Sequence, residues 1–343
     1  MPTPPQPAPP IRPPPLRPGQ CIGWFSPSSP ATATAPRRYE RAQRFLRDKG
    51  YALKAGALSG KHDHYRSGSI QARAAELNEL IRDPSVRAIM STIGGQNANA
   101  LLPFIDYDAL IADPKIIIGY SDVTSVLLGI TAKTNLITFY GPALVASFGE
   151  FPPLVEHTFA SFQDMTAAQP PLPYRHRLPA MWSEEMIPWE EQNRAKHCQP
   201  NHCRFLGNGT VTGRLIGGNL NTMWSIWGSE YMPPIRHGDV LLIEDSLKSI
   251  ATVERLFVFL SLNGIFERVS AILLGKHEGF QDMGTQRRPI DVLHEVLGDR
   301  RLPIVDGVDC CHTHPMLTMP IGARVSIDFD DGAIDVVDAW LQH

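Results

Sequence analysis

Cysteine is scarce in this chain. Its five residues (Cys21, Cys198, Cys203, Cys310 and Cys311) are too few and too unevenly spaced for a disulfide framework. His197-Cys198 and His202-Cys203 form an HCxxxHC cluster, but zinc-finger spacings are missing and no metal is expected. Charge of one sign is lacking as well: 32 Lys and Arg stand against 35 Asp and Glu, for a formal charge of -3. No basic stripe points to a nucleic-acid polymer or an anionic membrane as partner. No uncharged apolar run is long enough to span a bilayer, and the N terminus lacks the apolar core of a signal peptide. The cytoplasm is therefore the expected location. No internal repeat is visible.

Proline, by contrast, crowds the first eighteen residues, MPTPPQPAPPIRPPPLRP. Proline fixes φ and removes backbone donors, so residues 1–18 are expected to form an extended, disordered tail. The body, with 43% hydrophobic and 20% charged residues in a chain of 343, is of ordinary globular composition and long enough for two domains. Over residues 19–147 short apolar runs alternate with amphipathic segments. Ile22–Phe25, Arg87–Ile93 and Lys115–Ile118 read as strands, while residues 37–48, SIQARAAELNELIRD and VTSVLLGITAKT read as helices. This rhythm predicts a mostly parallel sheet flanked by helices. Residues 148–205 are rich in proline, histidine and charge and read as a long connecting segment of functional importance. Strands return over 206–343 in TVTGRLIGG, DVLLIED, SAILLG and ARVSIDF, with one clear helix, ATVERLFVFLSL.

Three segments carry candidate chemistry. In Ile118-Gly119-Tyr120-Ser121-Asp122 a strand runs through a turn into a helix. A serine there projects above the sheet end, and the first amides of the helix face the same space and can hold an oxyanion. Ser121 or Asp122 can equally serve as a helix cap. Ile93-Gly94-Gly95-Gln96 is a second strand-end loop, and open α/β sheets place ligands outside such carboxyl ends. A serine nucleophile needs a base and an acid to orient it. Leu241-Leu242-Ile243-Glu244-Asp245 supplies carboxylates at the end of an apolar strand, as acid or as cap. Asp309-Cys310-Cys311-His312-Thr313-His314 supplies two histidines in a turn.

Taken together, GWFSPSSP, IGGQNANALLPFIDYDAL, IIGYSDVTSVLLGI, TFYGPAL, GRLIGGNLNTM, LLIEDS and CHTHPMLTMPIG resemble the LD-carboxypeptidase family of serine peptidases, and especially its branch of microcin C immunity proteins. The runs follow the family's order from residue 21 to about 330. The resemblance implies an α/β fold in which a flavodoxin-like N-terminal parallel-sheet domain carries the nucleophile. A smaller β-rich C-terminal domain brings acid and base, with the active site between the two. It implies Ser121 as nucleophile, Glu244 as acid and His312 as base, with the Gly95 and Asp122 amides as oxyanion hole. It also implies a homodimer that needs no metal or cofactor. Asp245, adjacent to Glu244, is the competing acid, since only one of two successive strand residues faces a given side. His314 and Cys311 depart from the family pattern, where aspartate and glycine stand.

Two substrate classes follow from the resemblance: murein tetrapeptides trimmed of their terminal D-alanine, or a peptidyl or aminoacyl group joined to a modified nucleotide. Immunity-type relatives stack a tryptophan of the connecting segment on the base. Trp182 and Trp189 are the candidates here, with Asn221 and Lys248 as polar contacts. The immunity-like reading is preferred. A non-enzymatic nucleotide or peptide binder, and a thiol or zinc protein, are the alternatives from other classes.

Overall fold

The computed structural model describes residues 9–342. Its N-terminal half runs β1 (Cys21–Phe25), α1 (Ala31–Thr34), α2 (Pro36–Asp48), β2 (Ala52–Ala55), α3 (Ile70–Arg82), β3 (Val86–Ser91), α4 (Tyr107–Ala112), β4 (Ile116–Gly119), α5 (Thr124–Thr134) and β5 (Thr138–Tyr140). Local chemistry explains the boundaries. Ser69 caps α3 by accepting from the Ala72 amide, Asp106 caps α4 through Ala109, and Asn135 ends α5 in the left-handed region. β4 is buried at every position, as apolar runs in a helix-covered parallel sheet must be.

The chain continues through α6 (Leu154–Thr166) and β6 (Tyr174–Arg175), then β7 (Met181–Trp182), β8 (Gln199–Pro200) and β9 (Arg204–Leu206). The C-terminal half follows with β10 (Thr210–Asn219), α7 (Leu220–Ile226), β11 (Val240–Glu244), α8 (Ile250–Leu262), β12 (Ala271–Gly275), α9 (Pro289–Leu297), β13 (Ile304–Val308), β14 (Met319–Ile321), β15 (Arg324–Asp328) and β16 (Ala333–Val336). Two large sheets result. The first has the order β14-β5-β4-β3-β1-β2, parallel except for β14, which comes from the C-terminal half. The second has the order β6-β16-β15-β10-β11-β12-β13-β9, with β10 to β13 parallel and joined by α7, α8 and α9.

The segment 148–205 is therefore more than a linker, because β6 lies in its middle and β9 starts at its end, and these are the two edges of the second sheet. The expectation of a disordered proline-rich tail needs correction over residues 9–18; residues 1–8 lie outside the described residues. Ile11 donates to the Asn135 carbonyl at 2.9 Å and its own carbonyl accepts from Ile137 at 2.9 Å. Leu16 donates to Thr166 at 2.7 Å and its side chain is fully buried. An extended proline-rich strand lacks internal hydrogen bonds, so apolar anchors and edge bonds to the body fix it instead.

The halves meet where β4 and β11 end. Gly218 adopts φ +149, and a Cβ there would lie 2.8 Å from Thr124 and 3.0 Å from the Tyr140 ring. Its bareness lets β10 approach α5 closely enough for the Asn219 amide to donate to Thr124 Oγ1 at 3.0 Å. Among the described residues no helix is long and apolar enough to cross a membrane. Also among them, no three His, Cys, Asp or Glu side chains gather as a metal site.

Candidate active site

Ser121 sits at a sharp corner between β4 and α5 with φ +62, a conformation unusual for a residue with a side chain. Gly94 makes room for it, and Gly119 lets the end of β4 pack against Ser91. A Cβ on Gly94 would lie 2.8 Å from Ser121 Cβ, and one on Gly119 would lie 2.5 Å from Ser91 Oγ. The loop after β3 is tied to the corner by side chains. Asp122 accepts from the Asn97 and Ala98 amides at 2.7 and 2.9 Å, and Ser28 Oγ accepts from Gln96 and Asn97 at 3.0 and 3.2 Å. Burial pushes the Asp122 carboxyl up, opposed by those same amides and by Ser28. Among the described residues the amides of Gly95 and Asp122 meet no acceptor.

Glu244 ends β11, fully buried, and its Oε2 accepts from or pairs with His312 Nδ1 at 2.7 Å. Its Oε1 accepts from Tyr140 Oη at 2.6 Å and Asn219 Nδ2 at 2.9 Å. Tyr140 Oη in turn accepts from the Ser121 amide at 3.2 Å, so one network runs from the serine corner to the histidine. Burial opposes charge on Glu244, yet the charge of His312 and hydrogen bonds from His312, Tyr140 and Asn219 hold its carboxyl below the ordinary range. Burial likewise opposes the imidazolium of His312, but Glu244, Glu278 and Asp245 outweigh it and raise its pKa. The His312 ring stands edge-on to Tyr120, the residue before Ser121, with centroids 4.9 Å apart. No hydrogen bond joins Ser121 Oγ to His312 among the described residues. Such bonds are commonly loose before substrate binds.

Glu244 and Asp245 do not divide between opposite faces. The strand ends at Glu244, so Asp245 bends into the same cleft, where it accepts from the Asn221 amide at 3.1 Å and lies 3.5 Å from Lys248 Nζ. Among the described residues Asp245 makes no hydrogen bond or ion pair with His312. Ser121, Gly95, Asp122, Asn221 and Lys248 together line a cavity of about 480 Å³. The tryptophans lie apart from it. Trp182 borders a separate cavity of about 680 Å³, with Lys276 5.1 Å from its ring centre. Trp189 packs on the core with the Arg38 guanidinium 4.9 Å from its ring.

Comparison with known proteins gives the family. Residues 22–141 match the LD-carboxypeptidase N-terminal domain and residues 212–327 the LD-carboxypeptidase C-terminal domain. The chain belongs to the LD-carboxypeptidase family. It is thus a hydrolase of the serine carboxypeptidase type. A Vibrio cholerae protein with a provisional carboxypeptidase name is 60% identical over 94% of this chain and 97% of its own. The microcin C7 self-immunity protein MccF of Escherichia coli is 56% identical over 94% of each chain. A wild-type apo structure of MccF covers 97% of this chain and 100% of its own with a TM-score of 0.96. MccF has also been solved with aspartyl sulfamoyl adenosine and with glutamyl sulfamoyl guanosine, and as an active-site mutant with a serine, an asparagine and a lysine changed to alanine. A Bacillus subtilis protein named as a probable murein peptide carboxypeptidase is 28% identical over 90% of this chain and 89% of its own.

Within this LD-carboxypeptidase chain, sequence reasoning missed Tyr140 and Asn219. Both lie in runs that carry the family resemblance, TFYGPAL and GRLIGGNLNTM. Their partners are 104 and 25 residues away, and no local spacing announces a bond of that kind.

Proposed function

We propose that the chain hydrolyses a peptide or amide bond through a triad of Ser121, His312 and Glu244. His312 takes the proton from Ser121 as its Oγ attacks the carbonyl carbon, and Glu244 orients and stabilises the imidazolium. The Gly95 and Asp122 amides receive the oxyanion, where a single donor is typically worth about a hundredfold or more in rate. His312 then returns the proton to the leaving nitrogen and activates water to release the acyl group. The observation that supports this reading most is the hydrogen-bonded path from the Ser121 corner through Tyr140 and Glu244 to His312.

For the substrate we favour a peptidyl or aminoacyl group on a nucleotide, as in the immunity branch. The cavity at Ser121 holds Asn221 and Lys248, the residue types changed together with serine in the MccF active-site mutant. Of the two tryptophans, Trp182 borders open volume and is the better placed to stack on a base; one face of Trp189 is taken by Arg38. The second reading is murein tetrapeptide trimming, favoured by the Bacillus subtilis relative. We further infer, from the family resemblance, a cytoplasmic homodimer.

The test offers wild type and Ser121→Ala a murein tetrapeptide and glutamyl sulfamoyl adenosine, with products followed by mass spectrometry. Cleavage by wild type alone supports the triad, and the faster substrate decides the class. Equal turnover by the variant sinks the serine mechanism.

A further inference from the structure

The triad leaves a second buried network unused, and it adjoins the loop after β3. α3 carries Arg73, which is 1% exposed. A guanidinium buried to that degree needs acceptors, because an unpartnered charge in the interior is costly. Arg73 forms no ion pair among the described residues. Its Nε donates to the Gly68 carbonyl at 3.1 Å. Its Nη1 donates to the Pro27 carbonyl, to the Asn97 carbonyl at 3.2 Å and to Asn97 Oδ1 at 2.7 Å. One side chain thus joins the loop after β1 to the loop after β3.

The same two loops meet at Gly94 and Gly95. The Ser29 amide donates to the Gly94 carbonyl at 3.1 Å. That carbonyl and the Gly95 N–H belong to one planar trans peptide and point in opposite directions. Holding the carbonyl therefore sets the direction of the N–H, and Gly95 lines the cavity beside Ser121. Ser28 reinforces the contact. Its Oγ accepts from the Gln96 and Asn97 amides and lies 2.9 Å from Asn97 Oδ1, the oxygen that Arg73 also holds. It packs so closely that a Cβ on Gly95 would collide with it. Asp122 fastens the other end of the loop through the Asn97 and Ala98 amides, and the Arg73 charge favours the ionised form of its carboxyl.

We propose that Arg73, together with Ser28, is a positioning residue for the oxyanion hole: it holds the loop after β1 against the loop after β3, so that the Gly95 N–H stays aimed at the developing oxyanion. This rests on the serine mechanism proposed above. Arg73 touches neither substrate nor the reacting atoms and acts through Pro27 and Asn97. Its sequence neighbourhood gives no sign of this, because an arginine in an amphipathic helix ordinarily faces solvent and its acceptors here stand 46 and 24 residues away.

The experiment measures kcat and KM for wild type, Arg73→Met, Arg73→Lys and Ser28→Ala, at a temperature where circular dichroism shows each protein folded. The substrate is whichever of the murein tetrapeptide and glutamyl sulfamoyl adenosine wild type cleaves faster. Arg73→Met is expected to lower kcat about a hundredfold, the scale of one oxyanion donor, with KM changed by less than about twofold. Arg73→Lys keeps the charge and can still donate to Asn97, so it should recover about tenfold of that loss. Ser28→Ala should lower kcat about tenfold at constant KM. A folded Arg73→Met with wild-type kcat, a loss carried by KM, or no recovery in Arg73→Lys overturns the proposal. Should Arg73→Met fail to fold, the two milder variants decide: each should lose about tenfold in kcat, and an unchanged kcat in either overturns it. Ser121→Ala separates the two readings. Turnover equal to wild type sinks the serine mechanism and this proposal with it, whereas an inactive Ser121→Ala beside fully active Arg73 and Ser28 variants sinks this proposal alone.

Discussion

The two halves of the molecule reach the same cleft by different means. At the ends of β3 and β4 the site is made by backbone: a serine at positive φ, glycines with no room for a Cβ, and two amides that meet no acceptor among the described residues and whose residues line the cavity. At the end of β11 it is made by side chains, with a buried carboxylate, a phenol, an amide and an imidazole in one hydrogen-bonded chain. Backbone geometry fixes where an atom can be, whereas side-chain networks fix which atom carries the proton. The N-terminal corner should thus fail sterically when altered, and the C-terminal one should fail electrostatically.

The largest effect expected is from Glu244→Gln, which removes the charge that orients His312. A loss of about ten-thousandfold in kcat is the scale for the same change in other triads. The base must be neutral to accept a proton, and in wild type its pKa is raised. Activity should therefore climb with pH through a value above the ordinary imidazole range, and the limb should move to lower pH in Glu244→Gln. A pH–rate profile of both proteins checks the direction. An unmoved limb would separate His312 from Glu244 and break the comparison on its electrostatic side.

On the steric side, Gly94→Ala places a methyl 2.8 Å from Ser121 Cβ and 3.0 Å from the Asp122 nitrogen. Displacing the nucleophile by even a fraction of an ångström should lower kcat by about a hundredfold, with no shift of the pH limb. Steady-state kinetics at several pH values distinguish this from the Glu244 effect. Tyr140→Phe tests the joint between the halves, since its hydroxyl touches both the Ser121 amide and Glu244. A loss of about tenfold in kcat is expected, because Asn219 still donates to Glu244. An equal loss in Tyr140→Phe and Glu244→Gln would mean that the network acts as one unit.

The smallest effect lies away from both corners. His176, in the stretch after β6, is buried with both ring nitrogens unpartnered, and burial lowers its pKa to about 4. The unfolded chain, with an ordinary value near 6.5, binds the proton first. Stability should therefore fall as pH drops through about 6.5 towards 4, by up to about 3 kcal/mol from this group. Denaturant melts at pH 6.5 and pH 4 should show this acid-dependent loss in wild type and not in His176→Leu.

Much of the candidate site could be read from residue order. A strand ending at Gly119 just before Ser121 and a second ending in Glu244 are local patterns, and they mark both residues as candidates before any contact is seen. The parallel-sheet rhythm of the first half is equally local, since each strand and helix is written in its own periodicity. What stayed hidden is non-local. Tyr140 and Asn219 have roles set by partners brought from other elements. The proline-rich residues 9–18 misled for the opposite reason: their composition speaks for disorder, but the bonds of Ile11 and Leu16 to distant backbone hold them. Trp189 likewise sits in a polar stretch of sequence yet packs beneath Arg38, which arrives from α2.

The central claim, that a serine at one sheet's end works with an acid and base at the other's, is tested most directly by trapping the acyl-enzyme. Wild type mixed with aspartyl sulfamoyl adenosine, quenched in acid within milliseconds and digested, should carry an aspartyl adduct on the peptide containing Ser121. His312→Ala should carry none. An adduct on another residue, or full turnover by Ser121→Ala, would contradict the account.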